Sequence, residues 1–267
     1  MNIYATLIDD LQAISLRASE RIMEVYSRPF CVEHKADSSP VTEADLAANE
    51  VIVAGLTALT PDWPVLSEEG DPPPFAVRQQ WQRYWLVDPL DGTREFIKGN
   101  GEFTINIALI DSGQPVVGVI HVPVTGDCYF ASLGSGAYKK PKGQTVKQIR
   151  ARHWGGGQII IAGSRACHSD SFNELLSNFN EHHVLTLGSS LKSCYIAEGR
   201  ADLYARLGPT GEWDTAAAQC ILEEAGGKLT DLELNPLRYN CKESLINPPF
   251  LAFGDGRHDW RCYLPES

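Results

Sequence analysis

Asp88 and Asp91 close the run Trp85-Leu86-Val87-Asp88-Pro89-Leu90-Asp91-Gly92-Thr93, an apolar strand that stops on an acid, makes a proline turn and presents a second acid before a glycine. Two carboxylates three residues apart across such a turn can point at one spot, and buried together they need a cation. Hard divalent ions such as Mg2+ take oxygen from carboxylates, carbonyls, water and phosphate, and the Leu90 carbonyl between the acids is a natural further ligand. Gly92 and Thr93 open a segment whose free N–H groups suit a phosphate oxygen. Taken alone, the pattern also describes an ordinary turn.

Three other segments offer acids. Val65-Leu66-Ser67-Glu68-Glu69-Gly70 places two after a strand, and in isolation reads equally as a solvated loop. In Thr42-Glu43-Ala44-Asp45 the aspartate sits three residues after a threonine, the spacing of a helix capping box. In Glu212-Trp213-Asp214-Thr215-Ala216-Ala217-Ala218 the aspartate suits a helix N-cap and the alanines allow close packing.

These acids need elements to carry them. Leu7, Leu11, Ile14, Ala18, Ile22 and Val25 recur at helical spacing and predict a first helix ending before Arg28-Pro29. A second helix is expected from Thr42 toward Thr60-Pro61, folding back on the first. Short apolar runs at Val65-Leu66, Trp85 to Val87, Thr104 to Ile110, Val116 to Val122 and Cys128 to Ala131 read as strands. The run from Lys139 to Arg152 carries six bases and no acid, with Gly155, Gly156 and Gly157 after it. It reads as a solvated hairpin end and a hinge. Beyond it, strand-like segments (Gln158 to Ala162, Val184 to Leu187, Leu203 to Arg206, Gly227 to Thr230, Phe250 to Phe253) alternate with helical ones (169 to 178, Ser189 to Glu198, Asp214 to Ala225). Such alternation indicates α/β layering.

Composition bounds the function. The chain has 267 residues, 43% apolar, enough for a large core in one unit or two. A formal net charge of -11 argues against a long grip on nucleic acid. No run approaches the length needed to cross a bilayer, and the acidic start MNIYATLIDDLQ lacks the bases of an export signal. Seven scattered cysteines without close pairs read as reduced thiols, so a cytoplasmic protein is expected.

The order Thr-x-x-Asp, Ser-Glu-Glu, Asp-Pro-Leu-Asp-Gly-Thr, Trp-Asp-x-Ala-Ala resembles the inositol monophosphatase superfamily, over residues 36 to 227. Thr93-Arg94-Glu95-Phe96-Ile97-Lys98, Asn100-Gly101-Glu102-Phe103-Thr104, Gly188-Ser189-Ser190-Leu191-Lys192 and Ala197-Glu198-Gly199-Arg200-Ala201-Asp202 look like its CysQ-type 3'(2'),5'-bisphosphate nucleotidases. The resemblance implies an α/β (α+β) fold, a layered αβαβα sandwich of the sugar-phosphatase type. It implies two subdomains, residues 1-152 with the helix pair, an antiparallel sheet and most metal ligands, and 153-267 on the substrate side with Asp214, the site lying between them.

It further implies that Glu68, Asp88 and the Leu90 carbonyl hold one Mg2+, that Asp88, Asp91 and Asp214 hold a second, and that Glu68 contacts a third, weaker ion through water. Attacking water lies on the Glu68 side, and Thr93, oriented by Asp45, takes up its proton. Gly92, Thr93, Gly188, Ser189, Lys192, Arg165 and Glu212 are the expected substrate-binding residues, with Lys192 gripping a second phosphate and Glu212 reaching a ribose hydroxyl. The implied reaction removes the 3'-phosphate of adenosine 3',5'-bisphosphate, giving AMP and phosphate, with the sulfated form as a further substrate, in sulfur metabolism and with sensitivity to Li+. An inositol or other sugar phosphatase shares the same cluster, and a catalytically silent metal- or anion-binding regulatory protein is the alternative outside enzymes. A homo-oligomer and peripheral attachment to the inner membrane stay open.

Overall fold

The computed structural model describes residues 4–35, 39–164 and 170–264. α1 (Ile8–Tyr26) buries Leu11, Ile14, Ala18, Ile22 and Val25, the apolar stripe of its sequence. Each such aliphatic side chain, fully buried, contributes about 1.5–3 kcal/mol. β1 (Val32–His34) and β2 (Pro40–Thr42) make a small antiparallel ribbon. α2 (Glu43–Leu59) starts on the expected capping box: the Ala44 N–H donates to Thr42 Oγ1 at 3.2 Å, and the Thr42 N–H donates to Asp45 Oδ2 at 2.8 Å. Arg28, just past the end of α1, pairs with Glu43 at the start of α2. Gly55, late in α2, lies against Ile14, early in α1, so the two helices run antiparallel.

The chain then forms β3 (Val65–Ser67), α3 (Phe75–Arg78), β4 (Arg83–Asp91), α4 (Thr93–Ile97), β5 (Thr104–Asp111), β6 (Gln114–Val122), β7 (Asp127–Ser132), β8 (Ala137–Lys140) and β9 (Lys147–Ile149). These seven strands pair in sequence order, parallel between β3 and β4 and antiparallel elsewhere. After β10 (Ile159–Gly163), α5 (Asp170–Ser177), β11 (His182–Thr186), α6 (Leu191–Ala197), β12 (Leu203–Arg206), α7 (Ala216–Glu224), β13 (Lys228–Asp231) and β14 (Phe250–Phe253), a second sheet is complete in the order β11-β10-β12-β14-β13.

Alternation along the strands sends neighbours to opposite layers. Trp85 and Val87 pack with α1 and α2, whereas Tyr84 and Leu86 join the core that holds α6 and α7 between the sheets. In the second sheet Ala162, Tyr204 and Ala252 face that central layer, while Ile161, Ala205 and Phe253 face α5 and Trp260. The result is the αβαβα sandwich. Its central helix lies unusually close to β6, because a Cβ on Gly118 would sit 2.4 Å from the Ala217 carbonyl oxygen.

The structure departs from expectation in the basic segment. It does form a hairpin, β8–β9, but two of its bases are ion-paired rather than solvated: Lys139 lies 3.1 Å from both Asp127 and Glu198, and Arg152 grips buried Asp202 at 2.6 and 2.5 Å. The connection to the second sheet passes through Gly156 and Gly157, both at positive φ. No helix among the described residues is long and apolar enough to cross a membrane.

Candidate active site

Asp88 and Asp91 are an odd number of residues apart, so a regular strand would aim them at opposite faces. The β4–β5 ladder corrects this: Asp88 pairs with Asn106 and Asp91 with Thr104, and the register shifts between them. The extra residue of this irregularity, at Pro89-Leu90, turns both acids the same way. The Leu90 N–H donates to Asp88 Oδ1 at 3.0 Å.

Glu68 arrives from β3. Its N–H donates to the Val87 carbonyl at 3.0 Å, extending the parallel ladder to the position beside Asp88. Asp214 arrives from the other side of the molecule, in the 3-10 turn Glu212–Asp214 that precedes α7. It is not the N-cap of α7, which is Thr215; its Oδ2 accepts from the Gly211 N–H at 2.9 Å.

One carboxylate oxygen from each of Glu68, Asp88 and Asp214 lies within 4.8 Å of the others. Asp88 is 1% exposed, and no donor among the described residues reaches its Oδ2. Burial first, then the charges of Glu68, Asp91 and Asp214, hold the Asp88 carboxyl well above the usual carboxylate range. Asp214 is raised in the same way by burial and by Asp91 and Glu68. Burial also raises Glu68, against the opposing pull of Lys35. Converging acids with a bare, buried oxygen among them suit a hard divalent cation, whose charge would offset both the burial and the repulsion.

Lys35 is a member of this site that its sequence did not announce. Its ammonium lies 2.9 Å from Glu68 and 2.6 Å from Glu69. Burial opposes the charge, but the two ion pairs outweigh it and raise the lysine pKa. A single base in a short exposed hairpin carries no local signal of such a contact.

Asp91, expected as a ligand with Asp88 and Asp214, lies outside that group of three, though its charge is close enough to raise both of them. Its Oδ2 accepts from the Ser189 hydroxyl at 2.9 Å, the Ser190 hydroxyl at 2.8 Å and, at 3.4 Å, the Asn106 amide. Thr93 opens α4 behind Gly92, whose φ of 96° puts it in the left-handed region. The Thr93 hydroxyl donates to Asp45 Oδ1 at 2.9 Å. Burial raises the Asp45 carboxyl, partly offset by hydrogen bonds from Thr42 and Thr93.

The substrate-side expectations fare unevenly. Gly92, Ser189 and Lys192 line the cleft beside Asp91 and Asp214. Lys192 is nearly buried, its ammonium donating to the Ser189 carbonyl at 2.6 Å and the Leu187 carbonyl at 3.4 Å. It thereby steadies Ser189, a non-glycine residue at φ 53°. Burial lowers the lysine pKa.

Gly188 does not offer a free N–H to an anion, because that group donates to Glu102 Oε2 at 2.8 Å. Its backbone is so close to residue 102 that a Cβ would lie 2.5 Å from the Glu102 carbonyl oxygen. Glu212 turns away from the cleft: it is 1% exposed and its Oε2 accepts from the Asn240 N–H at 2.8 Å. Burial pushes its pKa up to about 7. Arg165 lies outside the described residues. Arg94, Lys98 and Arg206, which sequence reasoning did not single out, also line the cleft.

Comparison with known proteins identifies the family. Residues 4–256 match the model of the inositol monophosphatase family. The chain is 50% identical over 247 residues to the 3'(2'),5'-bisphosphate nucleotidase CysQ of Escherichia coli strain K12, covering 91% of this chain and 98% of that protein. It is 39% identical over 256 residues to the nucleotidase of that name from Haemophilus influenzae, covering 96% and 95%. Among solved structures, CysQ from Bacteroides thetaiotaomicron superposes with a TM-score of 0.81 at 38% identity, covering 95% of this chain and 98% of that one. With its acids gathered by β3, β4 and the turn before α7, this chain belongs to the inositol monophosphatase family.

Proposed function

We propose that the protein is a Mg2+-dependent 3'(2'),5'-bisphosphate nucleotidase that removes the 3'-phosphate of adenosine 3',5'-bisphosphate, giving AMP, or of its sulfated form, giving adenosine 5'-phosphosulfate. The observation that carries the reading is the company the acids keep. They open onto a cleft bearing Arg94, Lys98 and Arg206 in a chain whose net charge is -11. Three bases beside a cation cluster suit a substrate with a second phosphate beyond the reacting one. The names of the relatives, 3'(2'),5'-bisphosphate nucleotidases, support the same substrate class.

Glu68, Asp88 and the Leu90 carbonyl would hold one Mg2+, and Asp88, Asp91 and Asp214 a second, with a weaker third near Glu68. When bound, such ions supply positive charge to the phosphate oxygens and make water more acidic. The chain's own part is to hold a proton path. Thr93 Oγ1 already gives its proton to Asp45 Oδ1, so its lone pairs are available to take a proton from attacking water. Gly92 lets the start of α4 approach the cleft without a side chain, and Lys192 fixes the loop that carries Ser189.

We assign the half up to residue 152 to the metal side and 153-267 to the substrate side, in a cytoplasmic protein. The test is phosphate release with Mg2+ from adenosine 3',5'-bisphosphate and from inositol 1-phosphate. Strong preference for the first is expected, with inhibition by Li+. Equal rates or the reverse preference would leave a phosphatase but remove the nucleotidase assignment.

A further inference from the structure

We infer that Ser190, held in place by Asn106, is a positioning residue that sets which divalent ion the site prefers, by reserving one oxygen of Asp91 for hydrogen bonds and leaving only the other for a cation. This rests on the metal-dependent reading above.

The observation is a pair of relays ending on one atom. On β5, Thr104 and Asn106 stand two residues apart on one face, and the Thr104 hydroxyl lies 3.0 Å from Asn106 Oδ1. From there the Asn106 amide donates to Ser190 Oγ at 2.9 Å, and Ser190 donates to Asp91 Oδ2 at 2.8 Å. Ser189 donates to the same Asp91 oxygen at 2.9 Å, and its Oγ lies 2.5 Å from Thr104 Oγ1, whose single proton goes either to Ser189 or to Asn106. Each serine has one proton. Because the carboxylate oxygen carries charge and the hydroxyls do not, both protons belong on Asp91.

Asp91 Oδ2 thus accepts two charge-assisted hydrogen bonds, with the Asn106 amide a third neighbour at 3.4 Å. Its lone pairs are used, and Oδ1 is the oxygen left for a cation. Ser190 Oγ also lies 3.1 Å from the Asp214 carbonyl, a neutral acceptor that the charged Asp91 oxygen outcompetes for the single hydroxyl proton. Asn106 and Ser190 are 1% and 5% exposed, which shields the relay from exchange with water.

A carboxylate restricted to one oxygen suits Mg2+, which demands near-ideal octahedral geometry that the narrow bite of a chelating carboxylate distorts. Ca2+ accepts more ligands, in flexible arrangements that include bidentate carboxylates. Freeing Asp91 Oδ2 should therefore penalise Mg2+ and spare or favour Ca2+. Partners that orient a metal's ligands typically matter by 10–100-fold in affinity, roughly.

The experiment is calorimetric titration of chelator-stripped full-length protein with MgCl2 and with CaCl2, for wild type, Ser190→Ala, Ser190→Thr and Asn106→Ser. Asn106→Ser removes the amide that holds Ser190 in place, and so loosens the Ser190 bond to Asp91 by a second route should Ser190→Ala not fold. The expected result is a Kd for Mg2+ about tenfold weaker in Ser190→Ala and Asn106→Ser, little change or tightening for Ca2+, and recovery of the ratio in Ser190→Thr. Equal losses for both ions, or none for either, overturn the inference while leaving the metal site standing. A wild type that binds neither ion overturns the metal-dependent reading and this inference with it.

Discussion

The Thr93 hydroxyl donates to Asp45 Oδ1 at 2.9 Å, while Asp45 Oδ2 accepts from both the backbone N–H and the hydroxyl of Thr42, at 2.8 and 2.6 Å. One buried carboxylate therefore caps α2 and orients the first residue of α4. Asp45→Asn puts an amide N–H2 where one set of donors now points. We expect kcat to fall by about 10²–10³, with KM nearly unchanged, if the threonine manages a proton in the reaction. The cap should weaken by about 1 kcal/mol. Steady-state kinetics with urea unfolding separates the two effects, and a kcat near wild type would remove Thr93 from the proton path.

Asp88→Asn should abolish turnover and yet stabilise the protein stripped of metal. Asp88 Oδ2 has no donor and is surrounded by other carboxylates, so neutralising it relieves repulsion. Each kcal/mol gained raises Tm by about 2–4 °C at this size. Calorimetry in chelator should show the rise, and added MgCl2 should no longer raise Tm as it does in wild type. A lower Tm in chelator would mean that the cluster is not under electrostatic strain.

His121 gives a pH prediction. Burial depresses its pKa from 6.5 to about 4, and neither ring nitrogen has a hydrogen-bond partner among the described residues. Below its ordinary pKa the unfolded chain binds a proton that the folded one refuses, so stability is full above about pH 6.5 and is lost as pH falls toward 4. From pH 7 to pH 5 this group costs about 2 kcal/mol. Replacing it by Asn should shrink the wild-type difference in urea stability between those pH values by about that much; an unchanged difference would assign the acid sensitivity elsewhere.

Arg152 makes a two-point contact with Asp202, which is fully buried and also accepts from the Ile160 N–H at 2.7 Å. Arg152→Met leaves that carboxylate without its counter-charge. Full loss of a buried pair costs about 3–5 kcal/mol. The arginine side chain is 38% exposed and water already screens it, so about 2 kcal/mol is expected in urea unfolding. Activity at saturating substrate should hold, since Arg152 is not among the residues that line the cleft. No change in the unfolding midpoint would demote the pair to a surface contact.

The helices and most strands were legible because burial imposes a period, as in the α1 stripe and the alternation of Tyr84, Trp85, Leu86 and Val87. The convergence of Glu68, Asp88 and Asp214 was legible because their motifs combine residue types that folding alone does not require together. β1 and β2 escaped because these three-residue strands are too short to carry an apolar alternation, and β8 and β9 were legible only as a hairpin end. The substrate side was read less well for a different reason. Gly188 and Glu212 look available in one dimension, but their partners, Glu102 and Asn240, are supplied by distant segments. Lys35 was invisible on the same ground.

The close seat of α7 on Gly118 has a consequence for inherited or engineered change. Asp214 stands just ahead of that helix, so its height above Asp88 is governed by how deeply the alanine face can sink onto β6. One methyl group at position 118 would act as a shim, lifting one jaw of the cation clamp away from the other. Such a lesion alters no acid, yet it would present in the laboratory as an enzyme starved of its ion.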